Sequence, residues 1–299
     1  MKKAFTLIEL VIAITITAIL ASIGTEIIST VYQNYIQTRS ITKLEAQTEL
    51  AITQISKRLQ YRIKQTLVGY ENGEYKDMIE CGADCGIAWY MQSYESRRLG
   101  EANKTGWSGV INRATIAGDK INLSLGYNDD KVQNLEKVKE IIKSITSSKE
   151  EVSKENPIAL IFKQSEDKAK ENYYKGNTNK VYKAYFSGND IIIDKKNKNK
   201  DDKLEDLYYL SHTINRIYID KKYDLILETN FLPWDDKNKI SSTIAKNVTT
   251  LRFTNFASEN DIANSNGLIL KICIKDPNLK VGKKDNDPHL EVCKVKAII

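Results

Sequence analysis

Two groups near the start of the chain are spaced to form an ion pair where an unpaired charge is costly. Glu9 is the single acid between Phe5 and Gly24, and Leu10 to Ile23 is apolar except for Thr15, Thr17 and Ser22. A helix needs about 20 such residues to cross the hydrocarbon core of a bilayer. A carboxyl inside that span costs roughly 2.5–3.5 kcal/mol on insertion scales, so a cationic partner is expected. The preceding residues can supply one. Cleavage between the small residue Ala4 and Phe5 removes Lys2 and Lys3 and leaves a charged amine on Phe5, one helical turn from Glu9.

The flanks set the direction of insertion. Lys2 and Lys3 hold the N-terminal end in the cytoplasm and send the remainder of the chain across. A secretory signal is cut after its apolar core, at a small-residue site. Ala18, Ala21 and Ser22 are the residues that leave such a site open, and a plain signal-anchor with a stray acid is the simpler alternative.

The segment Lys2-Lys3-Ala4-Phe5-Thr6-Leu7-Ile8-Glu9-Leu10 resembles the class III signal of type IV pilins and type II secretion pseudopilins. The resemblance implies a prepilin peptidase and N-methyltransferase that cuts between Ala4 and Phe5 and methylates the Phe5 amine. It implies that Glu9 docks on a neighbouring subunit's N-terminus. The family usually has Gly where this chain has Ala4, which bears on the rate of processing. The implied partners are other minor and major pilins or pseudopilins, an inner-membrane assembly platform and the lipid bilayer. The implied location is the inner membrane in a single pass, with a cytoplasmic N-terminus and a periplasmic head, and then a place in a filament.

Beyond the span the pattern stays helical. Gly24, Ile28, Val31 and Tyr35 keep steps of three and four, and the stripe resumes at Ile41, Leu44, Thr48, Ile52, Ile55, Leu59, Ile63 and Leu67. Arg39, Lys43, Glu49, Lys57 and Lys64 occupy the opposite face, and no proline interrupts Phe5 to Val68. The reading is a leader at 1–4, a membrane helix at 5–24, an amphipathic periplasmic helix at 25–68 ended by Gly69, and a head at 69–299. The expected fold class is α+β and pilin-like, a long helical spine packed on a mainly antiparallel β-sheet head.

Strands are expected at 86–94, 120–125, 157–162, 181–186, 191–194, 207–210, 213–220, 223–229, 244–253, 267–275 and 290–299, with a second helix at 128–147 and an exposed loop at 195–203. In order, Tyr208-Tyr209-Leu210, the hairpin after it, the segment from Ile244 to Phe253 and the segment from Gly267 to Ile272 are similar to J-type minor pseudopilins and W-type minor pilins. Gln54 to Leu59 resembles the same group. Its members sit at filament tips, where they help start assembly.

Four cysteines suit an oxidising compartment and allow three pairings, of which proximity favours Cys81–Cys85 with Cys273–Cys293. Zinc is disfavoured, because the cysteine spacing is not Cys-x2-Cys and the imidazoles are limited to His212 and His289. Asp201-Asp202, Asp235-Asp236 and Asp285-Asn286-Asp287 lack EF-hand spacing and read as turns before calcium sites. There is no phosphate loop, nucleophile elbow or His-Glu-x-x-His, so neither a catalytic residue nor a cofactor is expected. The formal charge of +6, reduced by two with the leader lysines, gives no case for direct nucleic-acid binding. Tyr173, Tyr174, Tyr182, Tyr185, Tyr208, Tyr209, Tyr218 and Tyr223 are either sheet residues with one polar end or a sugar- or surface-binding face.

Overall fold

A computed structural model describes residues 6–82, 84–98, 105–111, 116–117, 120–122, 134–146, 150–163, 169–174, 180–188, 190–193, 205–255, 267–282 and 286–298. Helix α1 runs unbroken from Leu7 to Gln60, about 80 Å at 1.5 Å per residue. Its side chains from Leu7 to Tyr35 are exposed, including Leu7, Ile8, Ile14, Leu20 and Ile28. Its second half buries Ser40, Leu44, Thr48, Ala51, Ile52, Ile55, Ser56 and Leu59. Those steps of three and four place one face against the head, as an amphipathic helix requires.

The helix stops at Gln60 and not at the expected Val68. From there the backbone bonds to a strand: Ile63 N–H donates to the Tyr90 carbonyl at 2.9 Å, and Gln92 N–H donates to the Tyr61 carbonyl at 2.8 Å. A 3₁₀ turn at Lys64–Thr66 comes next. Ile63 is buried even so, which is why its four-residue step from Leu59 reads as helix. Gly69 caps nothing. It lies in strand β1 against the Cys81 sulfur, where a β-carbon would collide.

The first strands are β1 (Val68–Glu71), β2 (Glu74–Lys76) and β3 (Gly86–Gln92), succeeded by the one-turn helix α2 (Tyr94–Arg97). Next come β4 (Ile116–Ala117), β5 (Lys120–Asn122), helix α3 (Leu135–Thr146), β6 (Ile158–Phe162), helix α4 (Ala169–Tyr173), β7 (Val181–Ser187) and β8 (Asp190–Ile193). The last are β9 (Tyr208–Ile219), β10 (Leu225–Phe231), β11 (Ile240–Ala245), β12 (Val248–Asn255), β13 (Leu268–Lys280) and β14 (His289–Ile298). Every described pairing is antiparallel.

Strand β9 organises the head. One edge pairs with β3 from Ser211 to Ile217. The other edge is divided, with Tyr208–Ser211 on β6 and Ile214–Ile219 on β10. The two strands expected at 207–210 and 213–220 are therefore one. The large sheet runs β2-β1-β3-β9-β6-β7-β8-β5-β4, with β10 and β11 branching from β9, and β12-β13-β14 form a second sheet. The single strand expected at 244–253 is two, β11 and β12, separated at Lys246 and Asn247, where Asn247 takes a left-handed φ of 57°.

Helix α1 shares one apolar core with both sheets. Leu44, Ala51, Ile52, Ile55 and Leu59 join Leu268, Leu270, Ile272 and Ile274 of β13 and Ile87 and Trp89 of β3. The α+β architecture, a long apolar helix leading into a mainly antiparallel head, agrees with the reading from sequence. Of the second helix expected at 128–147, α3 carries 135–146; residues 128–133 and the loop expected at 195–203 lie outside the described residues.

Candidate functional site

The chemistry anticipated near the N-terminus has a definite local geometry. Thr6 caps α1: its hydroxyl accepts from Glu9 N–H at 3.4 Å, and its own N–H and hydroxyl donate to Glu9 Oε2 at 3.1 and 2.9 Å. This reciprocal capping box satisfies two backbone donors that a helix start leaves open. It also places the acid in the first turn, toward the positive end of the helix dipole. Ala4 and Phe5 lie outside the described residues.

The exposed half of α1 has the composition of a bilayer span, with a mean hydropathy of 2.3 over its most apolar window and none of that window buried in the fold. Thr15, Thr17, Thr25 and Thr30 each donate a hydroxyl proton to a carbonyl three or four residues back. That internal bonding lets polar residues sit in an apolar setting at low cost. The side chains of Ile12, Ile16, Ile19 and Ile23 remain unmet. An unpartnered apolar surface of this length calls for lipid or other helices.

The rest of the spine is fixed to the head by polar contacts as well as by the core. Ser40 donates to Asp276 of β13, and Lys294 of β14 donates to Glu49 at 2.6 Å. The Ser40 hydrogen bond is the largest influence holding the Asp276 carboxyl below its usual range, aided by the Asn278 N–H and by Lys43. These contacts join the second half of α1 to β13 and β14 alongside the shared apolar core.

Cys81 is bonded to Cys85 beside β1, and Cys273 is bonded to Cys293 across β13 and β14. Cys273, Cys293 and Glu291 are the one group of three metal-capable side chains that converge among the described residues. With both sulfurs in a disulfide the group offers no thiolate. Of the acidic pairs, Asp235 uses Oδ1 to accept from Lys237 N–H at 3.1 Å, as turn aspartates do. Asp201, Asp202 and Asp285 lie outside the described residues.

The tyrosines divide. Tyr173, Tyr174, Tyr182 and Tyr208 are buried in the head, Tyr185 and Tyr209 are half-buried, and Tyr218 and Tyr223 reach the surface beside Tyr70. Burial pushes the phenols of Tyr90 and Tyr174 well above their ordinary value and that of Tyr208 up to about 12.

Sequence reasoning missed a close Ser–His pair. Ser93 Oγ and His212 Nδ1 lie 2.6 Å apart, 119 residues apart in the chain, and both side chains are buried. Burial lowers the His212 imidazole to about 4, so it is neutral at pH 7. Ser93 is fully enclosed, so a substrate cannot reach its oxygen as nucleophilic catalysis requires. The nearest sequence signal was negative: His212 breaks the apolar alternation of its strand with no motif around it.

Residues 1–25 match the family described as the prokaryotic N-terminal methylation motif. Neither a curated protein nor a solved structure matches the chain. The chain thus carries a type IV pilin-like prepilin signal. With the apolar half of α1 it is a membrane-anchored, single-pass protein. Such a signal implies processing by prepilin peptidase and assembly with other pilins.

Proposed function

We propose that this chain is a minor, non-catalytic subunit of a type IV pilus, a type II secretion pseudopilus or a competence pseudopilus, located at or near the filament tip. The observation that carries the reading is the methylation motif continuing into an apolar helix whose surface nothing in the fold covers. On this reading the peptidase removes 1–4 and methylates the Phe5 amine. The helix then leaves the bilayer to pack among the helices of neighbouring subunits.

Selection of partners is electrostatic. The Glu9 carboxylate meets the Phe5 amine of a docked subunit where water is scarce and attraction is weakly screened. The Thr6 capping contacts occupy one carboxylate oxygen, Oε2, and leave the other for that amine. The positive leader places the head on the far side of the inner membrane, in the periplasm, where both disulfides persist.

The tip assignment rests on bulk and on the diffuse resemblance to J- and W-type subunits. A head of about 230 residues crowds its neighbours within a tightly wound filament, whereas at the tip it meets no subunit above it. The alternative is an anchored binding protein with an unprocessed N-terminus.

The test is Glu9→Gln. Membrane insertion is expected to be unchanged, because the substitution removes charge from an apolar span, while incorporation into sheared filaments is expected to fall sharply. Normal incorporation of Glu9→Gln would refute the docking role.

A further inference from the structure

We propose that strand β11 pairs edge to edge with an extended segment of a neighbouring subunit, which adds a strand to the larger sheet of the head. Among the described residues β11 (Ile240–Ala245) pairs with β10 on one side and with no strand on the other. In an antiparallel strand the N–H and C=O groups of alternate residues point to opposite sides. Half of those in β11 therefore meet no strand, and the partner whose chemistry completes them is an extended peptide.

Free edges are ordinarily guarded by brevity, by charge or by a bulge. The other edge strands follow that rule. β2 carries Glu74 and Lys76, β12 carries Arg252, β14 carries Glu291, Lys294 and Lys296, and β4 is two residues long. β11 reads Ile-Ser-Ser-Thr-Ile-Ala, with neither a charge nor a proline. Lys239, just before it, is drawn to Glu228 at 3.4 Å. The irregularity in its pairing lies at Leu225/Ile226, so Ile240 to Thr243 stay in unbroken register with Thr229 to Ile226. Those four successive residues, which alternate between the two faces of the sheet, are all exposed, and Ile240 is 48% exposed. Isoleucine and threonine gain in a strand by packing on cross-strand neighbours, which the open side of β11 lacks.

The size and place of the edge decide its occupant. Six residues present a strip about 20 Å long and one strand wide, too little for the roughly 1,200 Å² that a stable pair of chains buries. The partner must be brought by another contact, which raises its local concentration. The spine provides that contact. Ile244 and Ala245, at the C-terminal end of β11, pack on the core that α1 shares with both sheets, and the apolar half of α1 is left uncovered. A subunit packed on that half is held alongside the same spine that β11 adjoins. The inference thus rests on filament membership and adds a second contact to it.

The test is photo-cross-linking of the full chain in its native cells, with p-benzoylphenylalanine in place of Thr243 or, as a check on filament membership, of Ile19. Both are expected to cross-link to a chain that itself carries an N-terminal methylation signal. Ser241→Pro and Ser242→Pro then locate the pairing, because one of two successive N–H groups points to β10 and the other outward. The outward-facing variant is expected to keep the melting temperature, as proline does at an open edge, and to lower the Thr243 adduct at least about tenfold. A yield equal to the parent's in that variant overturns the pairing, as does loss of stability in both variants. A Thr243 adduct to a chain without the signal overturns it as well. An Ile19 adduct without a Thr243 adduct overturns the inference and leaves filament membership standing. Absence of both adducts contradicts filament membership and takes the inference with it.

Discussion

Acid is expected to loosen the head through His212. This side chain on β9 is 7% exposed and borders a cavity of about 50 Å³ that Glu150 and Asp235 also line. Burial holds its imidazole near 4, against 6.5 when exposed. As pH falls from 6.5, the unfolded chain takes a proton that the folded chain refuses, so stability drops across that window and levels off below about 4. The full difference amounts to about 3 kcal/mol, and about 2 kcal/mol is already lost at pH 5. Urea unfolding of the full chain in detergent, monitored by the fluorescence of buried Trp89 and Trp107, reads this directly. His212→Gln, which does not titrate, is expected to flatten the dependence between pH 7.5 and pH 5. Equal stability of the parent at those two values would refute the reasoning, as would an undiminished drop in His212→Gln.

Other consequences concern the spine and the bridges. Leu59 is completely buried at the α1–sheet contact, so Leu59→Ala is expected to cost about 2–5 kcal/mol, read as a lower urea midpoint with an unchanged slope. Replacing Cys273 and Cys293 together by Ser opens a loop with a separation of 20 residues and is expected to cost about 3 kcal/mol by the chain-entropy argument. The Cys81 and Cys85 pair closes a separation of 4, so the same double replacement there is expected to cost about 2 kcal/mol. Comparing the two double variants by thermal melting checks the order.

Much of the architecture was legible because its signals are local. The unbroken run from Leu7 and the steps from Leu44 to Leu59 repeat at helical spacing, and Leu268, Leu270, Ile272 and Ile274 alternate as a strand must. What escaped was set by distant contacts. Tyr61 to Ile63 leave the helix because Tyr90 and Gln92 bond to them, and nothing local in the sequence marks that exchange. Ser211 and His212 broke the pattern of β9, whereas pairing with β3 and β6 carries the strand through them. Asn247 signals a turn only once its left-handed φ is known. The acid at the N-terminus was legible from its apolar surroundings, while the Ser93–His212 contact is assembled from segments far apart in the chain.

Filament membership, as proposed, depends on an amine that exists only after the leader has gone. Intact-mass and N-terminal peptide mass spectrometry of the protein purified from its native membrane tests this most directly. The predicted result is a chain that begins at Phe5 with a methylated amine. A chain that retains Met1–Ala4 would contradict it, because Glu9 would then have no partner of the proposed kind.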